Sequence, residues 1–426
     1  MSSRALVWDR ENSALWQGAG LLLRPLHIVL AYPSLLYVAA LTVFLFRPPD
    51  LFSFYADRIA FGILVSCVAL RVMALRQKVP FFAGLSLPML GLVGLAVVRA
   101  LREPFDPQVW SIIASKFIVP FTLFHIAVVV FRGAGQRRHF EIFVVVVLAY
   151  LIFTAIVFLV DARSLIFPRF ILDESLGFHP DRARGPFLQA VANGVSLNLL
   201  GILALVLPEK RRKFVWLLWL ALPVAVLATM TRAVWISFAV STVVVGIQMV
   251  ERRWRMACAV FAVLGLLGCL AIGLGNHALK SAISERTEER GPVEARMAVY
   301  NAGWSMFQER PFTGWPAGGM YAELARRMEG YHLRTYYVHN TYLALLVEFG
   351  VPGLVLYGIL FFNLFRLSRR GVGGEPGAVC RLRRAWFLLL CVYMFNACFV
   401  DMAYQFVIGL LFTCAGMLCA SEETSA

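Results

Sequence analysis

The sequence predicts an all-α polytopic membrane protein with about twelve transmembrane helices, and its composition carries most of that prediction. Of its 426 residues, 60% are hydrophobic and only 15% are charged, whereas soluble domains are about 25% charged. The mean hydropathy is +0.73. The apolar runs are continuous and lack the in-out alternation of membrane β-strands. Helices are therefore expected, because they satisfy every backbone polar group within one segment in lipid.

The individual spans follow from the thickness of the bilayer. A hydrocarbon core of about 30 Å requires roughly 20 apolar residues for each helical crossing. Windows of that kind recur along the whole chain, and we take them as one integral membrane domain over residues 1–426. The predicted spans are 27–46, 59–75, 80–98, 109–131, 141–160, 187–207, 214–230, 233–250, 256–275, 351–366, 385–400 and 403–419.

The distribution of basic residues predicts the orientation of these spans. Lys and Arg concentrate in alternate short loops, as expected for loops that stay in the cytoplasm. The net charge of +15 therefore reflects topology, and no nucleic-acid partner is predicted. Both termini are expected inside. The basic loop residues are Arg76, Lys78, Arg132, Arg137, Arg138, Lys210, Arg211, Arg212, Lys213, Arg252, Arg253, Arg255, Arg366, Arg369, Arg370, Arg381, Arg383 and Arg384.

This topology assigns two longer segments to the outer side, residues 161–186 and 276–338. The second contains a stretch with helical spacing, Pro292 to Glu309, followed by a run of Pro and Gly over residues 311–319. Such a pattern predicts a helix with a defined end, and a long loop of ordered composition is usually functional. We expect residues 276–338 to form an ordered cap.

The segment after this loop carries a histidine at a predicted membrane boundary. A helix is expected from Asn340 to Phe349 and should break at Gly350 and Pro352, before the next span begins. His339 precedes that helix. An imidazole there is suited to accept a proton near neutral pH. The alternative is a polar residue that only caps the end of the span.

Several motifs resemble those of the O-antigen ligase and polymerase family. His339 and Asn340, followed after nine residues by a Gly-x-x-Gly turn at Gly350 and Gly353, resemble its shared signature. Three further stretches resemble other parts of the family pattern. They are Arg184 to Asn193, with altered spacings, Thr229 to Trp235 around Arg232, and Arg296 through Pro311, Gly314 and Gly318.

The resemblance implies a metal-independent membrane glycosyltransferase without a cofactor. It would move a glycan from undecaprenyl diphosphate to an acceptor hydroxyl, on the periplasmic face of a bacterial inner membrane, with inversion at the anomeric carbon. The implied partners are that donor, a lipid A-core acceptor and membrane lipids. His339 would act as general base, and Asn340 would orient the ring or bind sugar. Tyr342 would stack on sugar or join an interfacial aromatic belt.

The leaving diphosphate predicts cationic ligands, because guanidinium groups match phosphate oxygens in shape and charge. Arg184, Arg232 and Arg296 all fall on the predicted outer side, and Lys116 lies inside a span, where an amine requires a polar partner. Each has a second interpretation. These are a loop-end anchor for Arg184, snorkelling for Arg232, an ion pair on a solvated helix for Arg296 and structural pairing for Lys116. Asp401, between the last two spans, would orient an arginine or close a turn.

Three other functions remain open. A polymerase would use the same motif with a second lipid-linked repeat as acceptor, and a related enzyme would transfer to a protein hydroxyl. A flippase or secondary transporter would also have about twelve spans and a buried lysine. Transporters, however, place paired ionisable groups near the midplane, whereas the polar candidates here fall on one side.

Overall fold

The computed structural model describes residues 32–47, 56–208, 212–248, 291–328, 337–369 and 377–425. Every regular element in these ranges is helical, which confirms the predicted fold class. The helices are α1 (Pro33–Leu45), α2 (Ala56–Ala74), α3 (Ala83–Ala100), α4 (Pro107–Ile113), a π turn (Ala114–Ile118), α5 (Val119–Val130), α6 (Ala134–Leu159), α7 (Ala190–Val206), α8 (Arg212–Ala228), α9 (Arg232–Gln248), α10 (Gly291–Glu309), α11 (Ala317–Arg327), α12 (Thr341–Leu367), α13 (Gly377–Ala397) and α14 (Gln405–Ser425).

Described helices overlap eleven of the twelve predicted spans, and the remaining span, 256–275, lies outside the described residues. Four of them are long and apolar enough to cross a membrane: α3, the continuous run from α4 to α5, α6, and α12. Five further apolar stretches are shorter, with 10–17 residues. These lengths support a membrane protein, while the twelve crossings stay a prediction.

The centre of the bundle is a close contact between α14 and α5. A side chain at Gly416 would place its Cβ 2.6 Å from the Phe124 carbonyl oxygen, so only glycine allows this approach. The Tyr37 hydroxyl from α1 lies 2.6 Å from the Thr413 hydroxyl oxygen and donates to the Leu123 carbonyl at 3.1 Å. Small residues and buried hydroxyl pairs are typical of packing between helices in membranes.

Arginines of the predicted cytoplasmic loops close one end of the bundle. Arg137 donates to the Arg132 carbonyl at 2.7 Å, Arg383 to the Leu367 carbonyl at 2.6 Å, and Arg381 to the Val206 carbonyl at 2.8 Å. The last carbonyls of a helix have no partner within it, and a cation there also complements the helix dipole. These bonds hold the ends of α7 and α12 against α13.

Hydrogen bonds also join the connections between helices at the opposite end of the bundle. The Ala183 amide donates to the Ala228 carbonyl at 3.0 Å, and Tyr404 Oη lies 3.3 Å from Gln189 Oε1. The Thr341 hydroxyl, at the start of α12, donates to the Val400 carbonyl at 2.9 Å. The candidate site residues lie at this end.

Candidate functional site

The site is built around a break in α12. Gly350 has φ 68° and ψ −164°, which is outside the helical region and is accessible to glycine without strain. Pro352 has no N–H to donate to the Glu348 carbonyl. The sequence prediction of a short helix before a break at Gly350 is therefore confirmed. His339 lies just before that short helix and Glu348 near its end.

The segment from Pro311 to Trp315 fills this break. The Val351 amide donates to the Pro311 carbonyl at 2.7 Å, and the Trp315 amide donates to the Val347 carbonyl at 2.7 Å. Arg99, at the end of α3, donates to the Thr313 carbonyl. The Val351 amide and the Val347 carbonyl, which flank the break, therefore have partners in this loop. The predicted breaker run docks a loop onto the interrupted helix.

A second irregularity lies directly opposite. The π turn Ala114–Ile118 separates α4 from α5, and Lys116 lies within it. Pro120 follows four residues later and cannot donate to the Lys116 carbonyl, which favours a local departure from α-helical pairing. Lys116 and Glu348 thus share one arrangement, because each lies four residues before a proline.

Lys116 binds two carboxylates at this point. Its Nζ lies 3.5 Å from Glu348 Oε2 and 3.3 Å from Asp401 Oδ1. The exposed fractions of the side chains are 5% for Lys116, 5% for Glu348 and 15% for Asp401. A buried ion can be tolerated only with such partners. We call these three residues the buried triad. Lys116 therefore has the structural pairing that the sequence analysis gave as the alternative to diphosphate binding. Asp401 was expected to orient an arginine or to close a turn, and it binds this lysine.

His339 lies in the connection that enters α12, close to the triad and to α10. Its side chain is exposed, yet surrounding protein lowers the pKa of the imidazole below its ordinary value. Partial desolvation is the largest cause, the Arg296 charge lowers the pKa further, and the Asp401 carboxylate opposes both. A lowered pKa keeps the imidazole neutral at physiological pH, which is the form that accepts a proton.

Tyr300 holds α10 against His339. Its hydroxyl lies 3.2 Å from the His339 carbonyl oxygen and 3.3 Å from the Cys398 carbonyl oxygen. Tyr300 is one helical turn after Arg296 on α10, so the contact brings both residues to the start of α12. The predicted helix over Pro292 to Glu309 is confirmed, and it contributes the one predicted arginine whose charge acts on His339.

Arg184 occupies a different position from the one predicted for a diphosphate ligand. It is 2% exposed, and its guanidinium donates to the Ile171 carbonyl at 3.1 Å and to the Leu176 and Asp173 carbonyls. Its donors therefore hold the first outer loop together. This geometry matches the loop-end anchor, and burial lowers the pKa of the guanidinium.

Arg232 lies at the first position of α9, after a tight turn. Met230 has φ 47°, which is a strained conformation for a residue with a side chain, and the Thr231 hydroxyl donates to the Thr229 carbonyl at 2.9 Å. Arg232 is exposed and forms no hydrogen bond or ion pair with the described part of the chain. The Arg232 guanidinium and the N-terminal end of the α9 dipole are both positive, so together they favour an anion in front of α9.

The supporting residues of the motif have structural roles. Asn340 is the N-cap of α12, because its Oδ1 accepts from the Tyr342 amide at 3.0 Å and the Leu343 amide at 3.1 Å. The Tyr342 hydroxyl donates to the Met394 carbonyl at 3.0 Å, so the half-buried side chain packs on α13. A Cβ at Gly353 would overlap Phe349. Both glycines of the motif therefore shape the break.

The sequence analysis missed Glu348 and Tyr300. Glu348 is an acid in an otherwise apolar helix, and the expectation that Lys116 needs a partner was a signal that pointed to such a residue. Tyr300 gave no signal, because its contacts are to backbone carbonyls 39 and 98 residues away in the chain.

The described part of the chain is thus an all-helical membrane protein. Its polar site contains histidine, arginine and carboxylate side chains and lies at one end of the bundle. The family model described as O-antigen ligase matches residues 215–358, about a third of the chain. The chain is thus O-antigen ligase-like over this segment, which confirms the resemblance. No curated protein matches the chain.

The matched segment contains Arg232, Arg296 and His339 but neither Lys116 nor Arg184. It supports a membrane glycosyltransferase-like enzyme of O-antigen ligase or polymerase type, with lipid-linked glycan and lipid A-core partners in general terms.

Proposed function

We propose that this protein is an O-antigen ligase-type glycosyltransferase. It transfers a glycan from undecaprenyl diphosphate to a hydroxyl of the lipid A-core, on the periplasmic face of a bacterial inner membrane. The observation that carries the proposal is the position of His339. It precedes the interrupted helix α12 within the family-matched segment, is exposed, and has Arg296 nearby.

The reaction is a single displacement at the anomeric carbon. The imidazole of His339 takes the proton of the acceptor hydroxyl as its oxygen attacks the anomeric carbon. The bond to the diphosphate oxygen breaks, and undecaprenyl diphosphate leaves with the electron pair. No covalent enzyme intermediate forms, so the configuration inverts. This displacement needs no metal ion or other cofactor.

Cationic side chains stabilise the leaving group. Arg296 and Arg232 are exposed and form no ion pair with the described residues, so their guanidinium groups are free to bind phosphate oxygens. Lys116 and Arg184 were predicted for the same role, but their present partners favour structural roles. In this proposal they support the site without binding diphosphate.

The test is transfer by the purified protein in liposomes. Undecaprenyl-diphosphate-linked glycan is supplied with lipid A-core, with a second lipid-linked repeat, or with an acceptor protein, and products are separated on a gel. The proposal expects product with lipid A-core only. Product with the second repeat would identify a polymerase, and product with the protein would identify a protein glycosyltransferase.

A transporter is the second candidate, and the buried triad is the observation in its favour. Paired ionisable groups on interrupted helices are typical of secondary transporters, and here Lys116 and Glu348 lie at two such irregularities. Movement of the lipid-linked glycan across the liposome membrane without any transfer to an acceptor would favour this function and contradict the ligase.

A further inference from the structure

One of the two carboxylates of the buried triad, Asp401, lies in the turn that is hydrogen-bonded to the start of α12. Asp401 and Glu348 both contact Lys116 Nζ, at 3.3 and 3.5 Å. Of these two carboxylates, only that of Asp401 contributes a charge that acts on His339. Glu348 lies one residue before Phe349 and two before the break at Gly350, further along α12. The two acids therefore share a cation but face different parts of the site.

Hydrogen bonds fix the Asp401 turn against the start of α12. The Thr341 hydroxyl donates to the Val400 carbonyl at 2.9 Å and accepts from the Met402 amide at 2.9 Å. Both neighbours of Asp401 are thus tied to a residue two positions after His339. Tyr300 joins the His339 and Cys398 carbonyls on the other side. These hydrogen bonds join the backbone around Asp401 to the backbone around His339.

The Asp401 carboxylate also has unused capacity to accept a hydrogen bond. Oδ2 accepts from Lys116 Nζ at 3.4 Å. Oδ1 is within 3.3 Å of Nζ but lies outside hydrogen-bond geometry, and no donor reaches it from the described residues. A buried acceptor without a donor is costly unless a partner is supplied at some stage. An imidazolium that forms during the reaction is such a partner.

From this geometry we propose that Asp401 is a positioning residue for His339, and that Lys116 holds its carboxylate in place. The inference rests on the proposed function, because His339 is the general base there. When His339 takes the acceptor proton it becomes a cation, and a fixed carboxylate nearby stabilises that cation in the transition state. Lys116 prevents Asp401 from turning away, and Glu348 balances Lys116 at the break.

The groups that surround Asp401 and His339 come from every neighbouring element. They are Lys116 of the π turn, Arg296 and Tyr300 of α10, Tyr321 of α11, Glu348 and Tyr357 of α12, Tyr393 of α13, and Tyr404 before α14.

The experiment compares two isosteric variants of the full-length protein, Asp401→Asn and Glu348→Gln. Each variant neutralises one of the two carboxylates that pair with the Lys116 ammonium group. The first readout does not depend on glycan transfer. Diethylpyrocarbonate carbethoxylates His339 when the imidazole is neutral, and mass spectrometry measures the extent of this reaction across a pH series. The midpoint of the series is the pH at which the imidazole becomes neutral. Asp401→Asn should lower this midpoint by about one pH unit, since an attractive charge is lost. Glu348→Gln should move it by less than a third of that.

The second readout is the pH profile of kcat/KM for transfer to lipid A-core. Asp401→Asn should lower kcat about tenfold or more at every pH and move the acidic limb to lower pH, with little change in KM for the donor. A purely structural defect would lower the whole profile without moving the limb. Arg296→Gln should move the His339 midpoint in the opposite direction, which establishes that the assay detects nearby charge.

The outcomes separate the two proposals. An unchanged midpoint in Asp401→Asn, or an equal change in Glu348→Gln, would overturn the positioning role whether or not transfer occurs. A shifted midpoint in a protein that transfers no glycan would leave that electrostatic link intact and remove the proposed function. If Asp401→Asn does not accumulate, Asp401→Ser makes the same test, because it also removes the charge and introduces a small polar side chain.

Discussion

Arg184 and Arg296 have the same side chain and were predicted to have the same role, but their surroundings differ. Arg184 is buried and its donors bind carbonyls of its own loop. Arg296 is exposed on α10, and its charge acts on His339. A motif gives the residue type and spacing, whereas the number of donors left for a ligand depends on burial. The structure therefore favours Arg296 as the phosphate ligand.

Substitution of these two arginines should give different defects. Arg296→Gln removes charge-assisted hydrogen bonds to the diphosphate, each worth about 1.5–3 kcal/mol, so kcat/KM should fall roughly tenfold to a hundredfold. Its thermal unfolding in detergent should match that of the parent.

Arg184→Gln leaves loop carbonyls without donors and should destabilise the protein by about 2–4 kcal/mol. A thiol-reactive dye that reports exposure of the buried Cys414 and Cys419 measures this unfolding. Normal stability of Arg184→Gln would contradict the anchor role.

The acidic limb of the pH profile is a second prediction at the residue scale. In the proposed mechanism His339 must be neutral to act as general base, so activity should be present above its pKa and be lost as pH falls through that pKa. Partial desolvation and the Arg296 charge lower this pKa from the ordinary value. The rate of transfer in buffered liposomes should therefore persist below the pH at which an unperturbed histidine, with a pKa of about 6.5, becomes protonated. An acidic limb at or above that pH would contradict the assignment.

At the scale of the helix, α12 is interrupted so that a loop can bind in the break. A Cβ on Gly350 would overlap the Pro311 carbonyl, and a Cβ on Gly314 would lie 2.5 Å from the Glu348 carbonyl oxygen. Both glycines have positive φ angles, 68° and 61°. The break and the docked loop thus depend on each other, and together they place Glu348 against Lys116.

Glycine substitutions along α12 test this dependence. Gly350→Ala should destabilise the protein by about 2–4 kcal/mol, because alanine resists a positive φ and meets the Pro311 carbonyl. Gly358→Ala lies in the same helix, where a Cβ meets nothing within 4 Å, and should be neutral or stabilise it by about 0.5–1 kcal/mol. Thermal unfolding of both variants in detergent makes the comparison. Equal stability of the two would contradict a structural requirement for the break.

The elements of the fold could be predicted from the sequence to a large extent, but the contacts in the site could not. Continuous apolar runs gave the helices, and Gly350 with Pro352 gave the break, because both signals are local in the chain. The pairing of Lys116 with Glu348 joins residues 232 positions apart. The amide side chain of Asn340 is suited both to binding sugar and to capping a helix. Its hydrogen bonds to the Tyr342 and Leu343 amides identify it as the cap. Long-range packing supplied what local patterns lacked.

At the scale of the whole molecule, the bundle has two chemically different ends. Arginines bind helix C-terminal carbonyls at one end, as Arg381 and Arg383 do. His339, Arg296 and the buried triad lie at the other. The proposed donor would be carried in one membrane leaflet and requires the site to open on that side only, and the basic loops predict that this side is the periplasm.

Labelling of single introduced cysteines tests the orientation. Phe312, which is 71% exposed, lies at the site end, and Arg369 lies in the exposed turn after α12 at the other. In intact cells, a membrane-impermeant maleimide should label Phe312→Cys but should label Arg369→Cys only after permeabilisation. The parent protein controls for its native cysteines. The reverse pattern would place the site in the cytoplasm and contradict the proposed donor.

The central claim is that His339 is the general base for glycan transfer, and a matched pair of histidine variants tests it most directly. His179 lies in the first outer loop with φ 55°, a conformation that asparagine tolerates. The measurement is the initial rate of transfer from undecaprenyl-diphosphate-linked glycan to lipid A-core by His339→Asn and His179→Asn. The account predicts a loss of about a hundredfold or more for His339→Asn and a rate near that of the parent for His179→Asn. A His339→Asn protein that transfers glycan at the parental rate would contradict the account.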